Sequence, residues 1–226
     1  MNLVAQYIPF VEFLGQALGK NYEVVLHDLT TPDTSIVAIA NGEISGRAIG
    51  GPVTDFVLKV LKQGKTEHKP FIANYHGKNI NNHVCCSSSY FIHDQESKVV
   101  GVLCINRNIT PYLEARKFLT EEVICDGPNA THIDFTANVQ DSFNIFENFQ
   151  GTVGDVIGTL LDSALQKYPS TPQRLALNER LAVVQELNDN GLFLLKGGIT
   201  ALAERLKISE PTVYRYLGKI KKDNEV

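Results

Sequence analysis

Apolar residues recur through the first eighteen positions at the period of a helix: Val4, Ile8, Val11, Leu14 and Leu18, with Gly19 as a stop. The pattern then turns to strands. Tyr22–Leu29, YEVVLHDL, and Ser35–Ala40, SIVAIA, read as two strands joined through Thr30-Thr31-Pro32-Asp33, and Asn41-Gly42 breaks the second. Gly50-Gly51-Pro52 leads into a short helix from about Asp55 to Lys62. Phe71–Tyr75, Val84–His93 and Lys98–Asn106 predict three more strands, with Asp94-Gln95-Glu96-Ser97 as a polar turn between the last two. Alternation along Val84–His93 puts Cys85, Ser87, Ser89 and Phe91 on one face and Cys86, Ser88, Tyr90 and Ile92 on the other. The order helix, two strands, helix, three strands predicts an α+β domain built on a five-stranded antiparallel sheet.

Beyond it, Asp126–Gln140 has turn residues and no period, and reads as linker. Thr152 with Asp155 three residues later starts a helix like a capping box. Val153, Val156, Ile157, Leu160, Leu161, Ala164, Leu165 and Tyr168 make its apolar stripe, ended by Pro169 and Pro172. Such a stripe must be covered, either by a partner subunit or by the neighbouring domain. After Pro172 all apolar patterning is helical. Leu181, Val184 and Leu187 mark one helix closed by Asn190-Gly191, Ile199–Leu206 a second, and Ser209 to about Lys221 a third. The predicted division is residues 1–125 for the sheet domain, 126–172 for the linker and a connecting or dimerisation helix, and 173–226 for a small all-α domain.

The run ITALAERLKISEPTVYRYL has the spacing of a helix-turn-helix. Ala203 is the small residue where two helices cross, Leu202 and Leu206 point inward, Ile208 plugs the turn, and Val213 with Leu217 seats the third helix. Lys207 falls where glycine is common, so its backbone is expected in the left-handed region. Ser209 is placed as an N-cap, and Pro211 fits the first turn, where its missing N–H costs little. In that geometry Ser209 leads the helix start toward base edges, Glu210 is placed to accept from a cytosine amino group, Thr212, Tyr214 and Arg215 reach bases or phosphates, and Lys219, Lys221 and Lys222 lie near phosphates.

Charge favours the same end. From Gln173 onward nine Lys/Arg stand against seven Asp/Glu, net +2; the first 172 residues carry twelve against eighteen, net -6. Between Arg205 and Lys222 six basic residues face one acid, Glu210. Such asymmetry suits a polyanion partner at one end, expected to be a double-stranded DNA operator.

Two segments carry a resemblance. SSSYFIHDQESKVVGVLCINRNIT, Ser87 to Thr110, and LNDNGLFLLKGGITALAERLKISEPTVYRYLGKI, Leu187 to Ile220, are similar to bacterial transcriptional regulators with a YheO-like PAS domain followed by a helix-turn-helix. Gly50-x-Pro52-x-Thr54 and Asn74-Tyr75 match more loosely. The resemblance implies a PAS fold and a sensor that binds a small molecule between sheet and helices.

Polar residues on otherwise apolar strands are the candidates for that ligand: His27, Ser87, Ser89 and Asn106, with Thr54 at a helix start. A small polar metabolite is the expected ligand, and backbone or water satisfying each group is the alternative. His68, His76, His83 and Cys85-Cys86 match no common metal framework, so no metal and no cofactor is expected. Cys85, Cys86, Cys104 and Cys125 lack CxxC spacing and are expected as free thiols, with a redox role for Cys85-Cys86 left open. No phosphate-binding loop or nucleophile elbow occurs, so an enzyme is not expected. No secretory leader or membrane span is recognised, which predicts a cytoplasmic protein. The resulting expectation is a homodimeric sensor-regulator, its recognition helices in major grooves about 34 Å apart. The alternative is a small-molecule or thiol-redox sensor acting through protein contacts.

Overall fold

The computed structural model describes residues 3–63, 70–79, 83–123, 146–168 and 171–223. Helix α1, Ile8–Leu18, follows a 3-10 turn at Ala5–Tyr7 and ends at Gly19. Strands β1 (Tyr22–Asp28) and β2 (Ile36–Ala40) come next, then α2 (Asp55–Gln63). Strands β3 (Phe71–Asn79), β4 (Val84–His93) and β5 (Val99–Asn108) complete the five that the pattern predicts. The sheet has six strands, not five. The addition is β6, Phe146–Phe149, which follows helix α3 (Thr110–Val123) and pairs parallel with the edge strand β3, making the sheet mixed. The order is β2-β1-β5-β4-β3-β6. The expected linker, 126–140, lies outside the described residues.

The two faces of the sheet are covered differently. On one, Val24, Leu26, Ala38 and Ile92 pack with Val4 and Val11 under α1. On the other, Val25, Tyr75, Phe91, Val102 and Cys104 meet Phe56, Val57 and Val60 of α2. This second face also belongs to the core of the C-terminal helices: α4 (Val153–Leu165), α5 (Leu177–Asp189), α6 (Gly198–Leu206) and α7 (Glu210–Asp223). One continuous apolar core therefore runs from the sheet to the last helix. Burying so many Leu and Val side chains, at about 1.5–3 kcal/mol each, makes that seam a main source of stability.

The stripe of α4 is part of this seam. Val156, Ile157, Leu160, Leu161 and Ala164 are all buried within the chain. Neighbouring elements of the same chain cover these five, while Val153, Leu165 and Tyr168 of the stripe stay half-buried. Thr152 caps the helix as its spacing predicts, its hydroxyl accepting from the Asp155 amide at 3.2 Å.

Two contacts join the sheet domain to the segment between α5 and α6, one from α2 and one from the turn between β1 and β2. Gly191, at φ +81°, sits so close under α2 that a Cβ would stand 2.8 Å from the Leu58 carbonyl oxygen. Both facts require glycine there. The Lys196 amide donates to Asp33 Oδ1 at 3.0 Å, from a residue in the 3-10 turn Pro32–Thr34 between β1 and β2.

Candidate functional site

The C-terminal helices form the expected helix-turn-helix. Ala203 is buried at the crossing of α6 and α7, Leu202, Leu206 and Val213 are buried beside it, and Ile208 and Leu217 are half-buried. Lys207 adopts φ 54°, ψ 47°, the left-handed turn its position predicts. Tyr216 and Ile220 add to the buried face of α7, leaving Pro211, Tyr214, Arg215, Lys219 and Lys221 exposed on the other. Periodicity produces this division: residues three and four apart share a face.

Ser209 stands immediately before α7, and its carbonyl accepts from the Thr212 and Val213 amides at 2.9 and 3.3 Å. Its hydroxyl lies 3.0 Å from that of Thr212. Glu210 accepts from the Thr200 hydroxyl at 2.6 Å, so this acid ties the start of α7 to α6. The Arg215 guanidinium lies 5.8 Å over the Tyr216 ring. Arg205, counted in the basic run, pairs with Asp162 of α4. The side chain of Lys222 lies outside the described residues.

The inner face of the sheet carries the second group. Register aligns Glu23 (β1), Asn106 (β5), Ser87 (β4) and Tyr75 (β3) in one row. Cys104 and Ser89 lie opposite each other in the next. All six are buried, and the parity read from the sequence for Cys85, Ser87, Ser89 and Phe91 holds. Glu23 has many partners. Arg47 donates to its Oε1 at 2.5 Å, Asn106 Nδ2 to the same oxygen at 2.8 Å, and the Ser45 hydroxyl to Oε2. Arg47 also lies 4.6 Å over the Phe149 ring.

At the β6 end, Glu147 accepts from Thr54 at 2.5 Å and from the Tyr75 hydroxyl at 2.8 Å. Thr54 in turn accepts from the Val57 amide at 3.3 Å, capping the start of α2. The Tyr75 hydroxyl lies 2.8 Å from that of Ser89, which lies 3.0 Å from Cys104 Sγ. When Glu147 is ionised it only accepts, so Tyr75 then donates to Glu147, Ser89 to Tyr75, and Cys104 to Ser89. Burial raises the Glu147 carboxyl to about 7, against the opposing Arg47 charge and its two hydroxyl donors. Asp55 adds a second tie from α2 to β6, accepting from the Asn148 backbone at 3.0 Å and side chain at 2.6 Å.

Each of the five residues singled out for a ligand is buried. Thr54 and Ser89 belong to the Glu147 network. His27, Ser87 and Asn106 each keep one atom, Nε2, Oγ and Oδ1 respectively, without a hydrogen-bond partner among the described residues. His27 Nδ1 lies 2.8 Å from Ser35 Oγ, and burial lowers the imidazole to about 3, helped by Arg47. Glu23, Arg47 and Glu147 are additional members the sequence reading did not single out. Glu23 could have been found, since it shares the parity of Val25 and His27.

Burial pushes the thiols of Cys85 and Cys104 up to about 12, which disfavours thiolate chemistry at either. His68 and Cys125 lie outside the described residues. Among those described, no three His, Cys, Asp or Glu are grouped to hold a metal, and no helix is long and apolar enough to cross a membrane.

Known proteins resemble the chain along most of its length. It is 28% identical to YheO of Escherichia coli (strain K12) over 222 residues, 97% of this chain and 85% of that protein. It is 24% identical to the transcriptional regulator DauR of Pseudomonas aeruginosa over 207 residues, 90% of this chain and 87% of that one. A solved PAS domain from Colwellia psychrerythraea aligns with a TM-score of 0.31 and 20% identity, covering 47% of this chain and 94% of its own. A model of helix-turn-helix domains matches residues 156–218, and the model of YheO-like PAS domains matches residues 1–123. The chain belongs to the YheO-like PAS family and carries a helix-turn-helix domain behind the PAS domain.

Proposed function

We propose that this chain is a transcriptional regulator in which the helix-turn-helix binds an operator and the PAS domain senses a small polar molecule. One observation carries the DNA half. The face of α7 turned away from the core bears Tyr214, Arg215, Lys219 and Lys221, behind a short polar first turn. A recognition helix needs that division, with small residues leading into the groove and cations trailing along the phosphates. The kinship with DauR, named as a transcriptional regulator, supports the same reading.

The sensing half rests on buried polar atoms left unpaired on the inner face, since such atoms are uncommon without a ligand or water. Helix α2 is the route from this face to DNA. Its first turn binds β6 through Thr54 and Asp55, and Leu58 rests on Gly191 ahead of α6. A ligand that shifts α2 would thus shift the recognition helix. Work on operator DNA would place the protein in the cytoplasm, as a homodimer if the operator is two-fold.

The test is anisotropy titration of the full chain with duplexes selected from a randomised library, at several salt concentrations. Lys219→Ala should weaken every duplex alike and shallow the salt slope by about one unit. Arg215→Ala should cost about 1–3 kcal/mol on the selected sequence and little on others. Failure to retain any duplex at low salt would refute the DNA half, leaving a sensor that acts through protein contacts.

A further inference from the structure

On the inner face, Ser87 and Asn106 are direct partners across β4 and β5, and both are fully buried. Side chains so paired have Cβ atoms about 4.5–5.5 Å apart, close enough for one ligand atom to reach both. Asn106 has no freedom to turn its amide over. Its nitrogen must face Glu23 Oε1, at 2.8 Å, because a carboxylate has nothing to donate. The atom left over is therefore the carbonyl oxygen Oδ1, which can only accept, and the Ser87 hydroxyl beside it can accept as well.

We infer that the sensed molecule is anchored here by a nitrogen bearing at least two hydrogens, a primary amine or a primary carboxamide, bonded to Asn106 Oδ1 and Ser87 Oγ. This rests on the sensor half of the proposed function and gives it a chemistry. A carboxylate or phosphate is excluded from this position. It would set oxygen against Asn106 Oδ1 with the Glu23 carboxylate directly behind, while the Arg47 group at 2.5 Å is already committed to Glu23. His27 Nε2 does not share the anchor. It stands four residues along β1 from Glu23, about 13 Å at strand rise, and could meet only the far end of a longer molecule.

The experiment titrates full-length protein, 15N-labelled, with propylamine, propionamide and propionate, three probes of nearly equal size. A probe of four or five heavy atoms binds no tighter than about micromolar at best and far more weakly as a rule, so the series extends to about 100 mM. Amine or amide should give saturable shifts at the Asn106 side-chain amide and at residues 87 and 106, and propionate should not. The arm that binds more tightly tells amine from carboxamide. Ser87→Ala should weaken the binding probe at least fivefold while leaving the unliganded protein as stable as before or more so, because an unpaired buried hydroxyl is removed. Equal or stronger binding of propionate here overturns the inference. So does the absence of shifts from either nitrogen probe, the result expected if a buried water alone satisfies the two atoms. Neither outcome touches the DNA half, which the duplex titration decides separately.

Discussion

Replacing Glu147 by Gln should reshape the dependence of stability on pH. The folded chain holds this carboxyl at about 7 against an ordinary 4.5, chiefly by burial. A raised value in the folded state means that the fold retains a proton which the unfolded chain releases. The associated stability is complete below about pH 4.5, falls as pH rises toward 7, and is gone above it. At about 1.4 kcal/mol per pH unit the whole effect is of the order of 3 kcal/mol. Glutamine keeps the local bonding possible: its oxygen accepts from Thr54, its nitrogen donates to Tyr75, and the Tyr75–Ser89–Cys104 chain reverses direction. Urea unfolding of both proteins at half-unit steps from pH 5 to 8 is the assay. The two should agree within about 1 kcal/mol at pH 5, and the variant should be about 2–3 kcal/mol more stable at pH 8. Other groups titrate in both proteins and cancel in the difference. Parallel curves would refute the reasoning, since Glu147 would then carry no displaced proton.

Arg47→Met should cost about 3–5 kcal/mol in urea unfolding, because it strands the fully buried Glu23 carboxylate. Gly191→Ala should destabilise by more than the ~1–2 kcal/mol of a left-handed alanine, since the Leu58 carbonyl also has to yield. Asp33→Ala should speed hydrogen exchange at the Lys196 amide, which loses its acceptor, and Asp33→Asn should largely preserve protection. At pH 8 iodoacetamide should leave Cys85 and Cys104 of the native chain unmodified, and react with them only after denaturant unfolds it.

The elements that local rules govern were legible in the sequence. Alternation in Val84–His93 placed Cys85, Ser87, Ser89 and Phe91 correctly, since a strand leaves no third direction for a side chain. Lys207 was legible because it fills the turn position between two helices where glycine is common. Strand β6 was not, being four residues long and paired with β3 from far along the chain. Its Phe-Glu-Asn-Phe pattern, with Glu147 buried, does not alternate apolar with polar. Helix α3 also passed unread; exposed Tyr112, Phe118 and Leu119 leave it no clear inward stripe. Arg47 sits in a loop, and only Glu23 on a distant strand explains why a guanidinium is buried there. Of the ligand candidates, Ser87 and Asn106 stood out as polar groups on apolar strands, but their pairing needed the β4–β5 register.

The unbroken core from Phe91 and Val102 through Leu187 to Val213 bears on how such genes can be rearranged. A tail grafted behind a foreign sensor would arrive with leucines shaped for a helix that is not there, and the orphaned sensor would present bare valines to water. Recombination between relatives should therefore succeed only when α2 travels with the last four helices, or when both seam surfaces change together. Chimeras crossed at the apparent boundary would fill inclusion bodies.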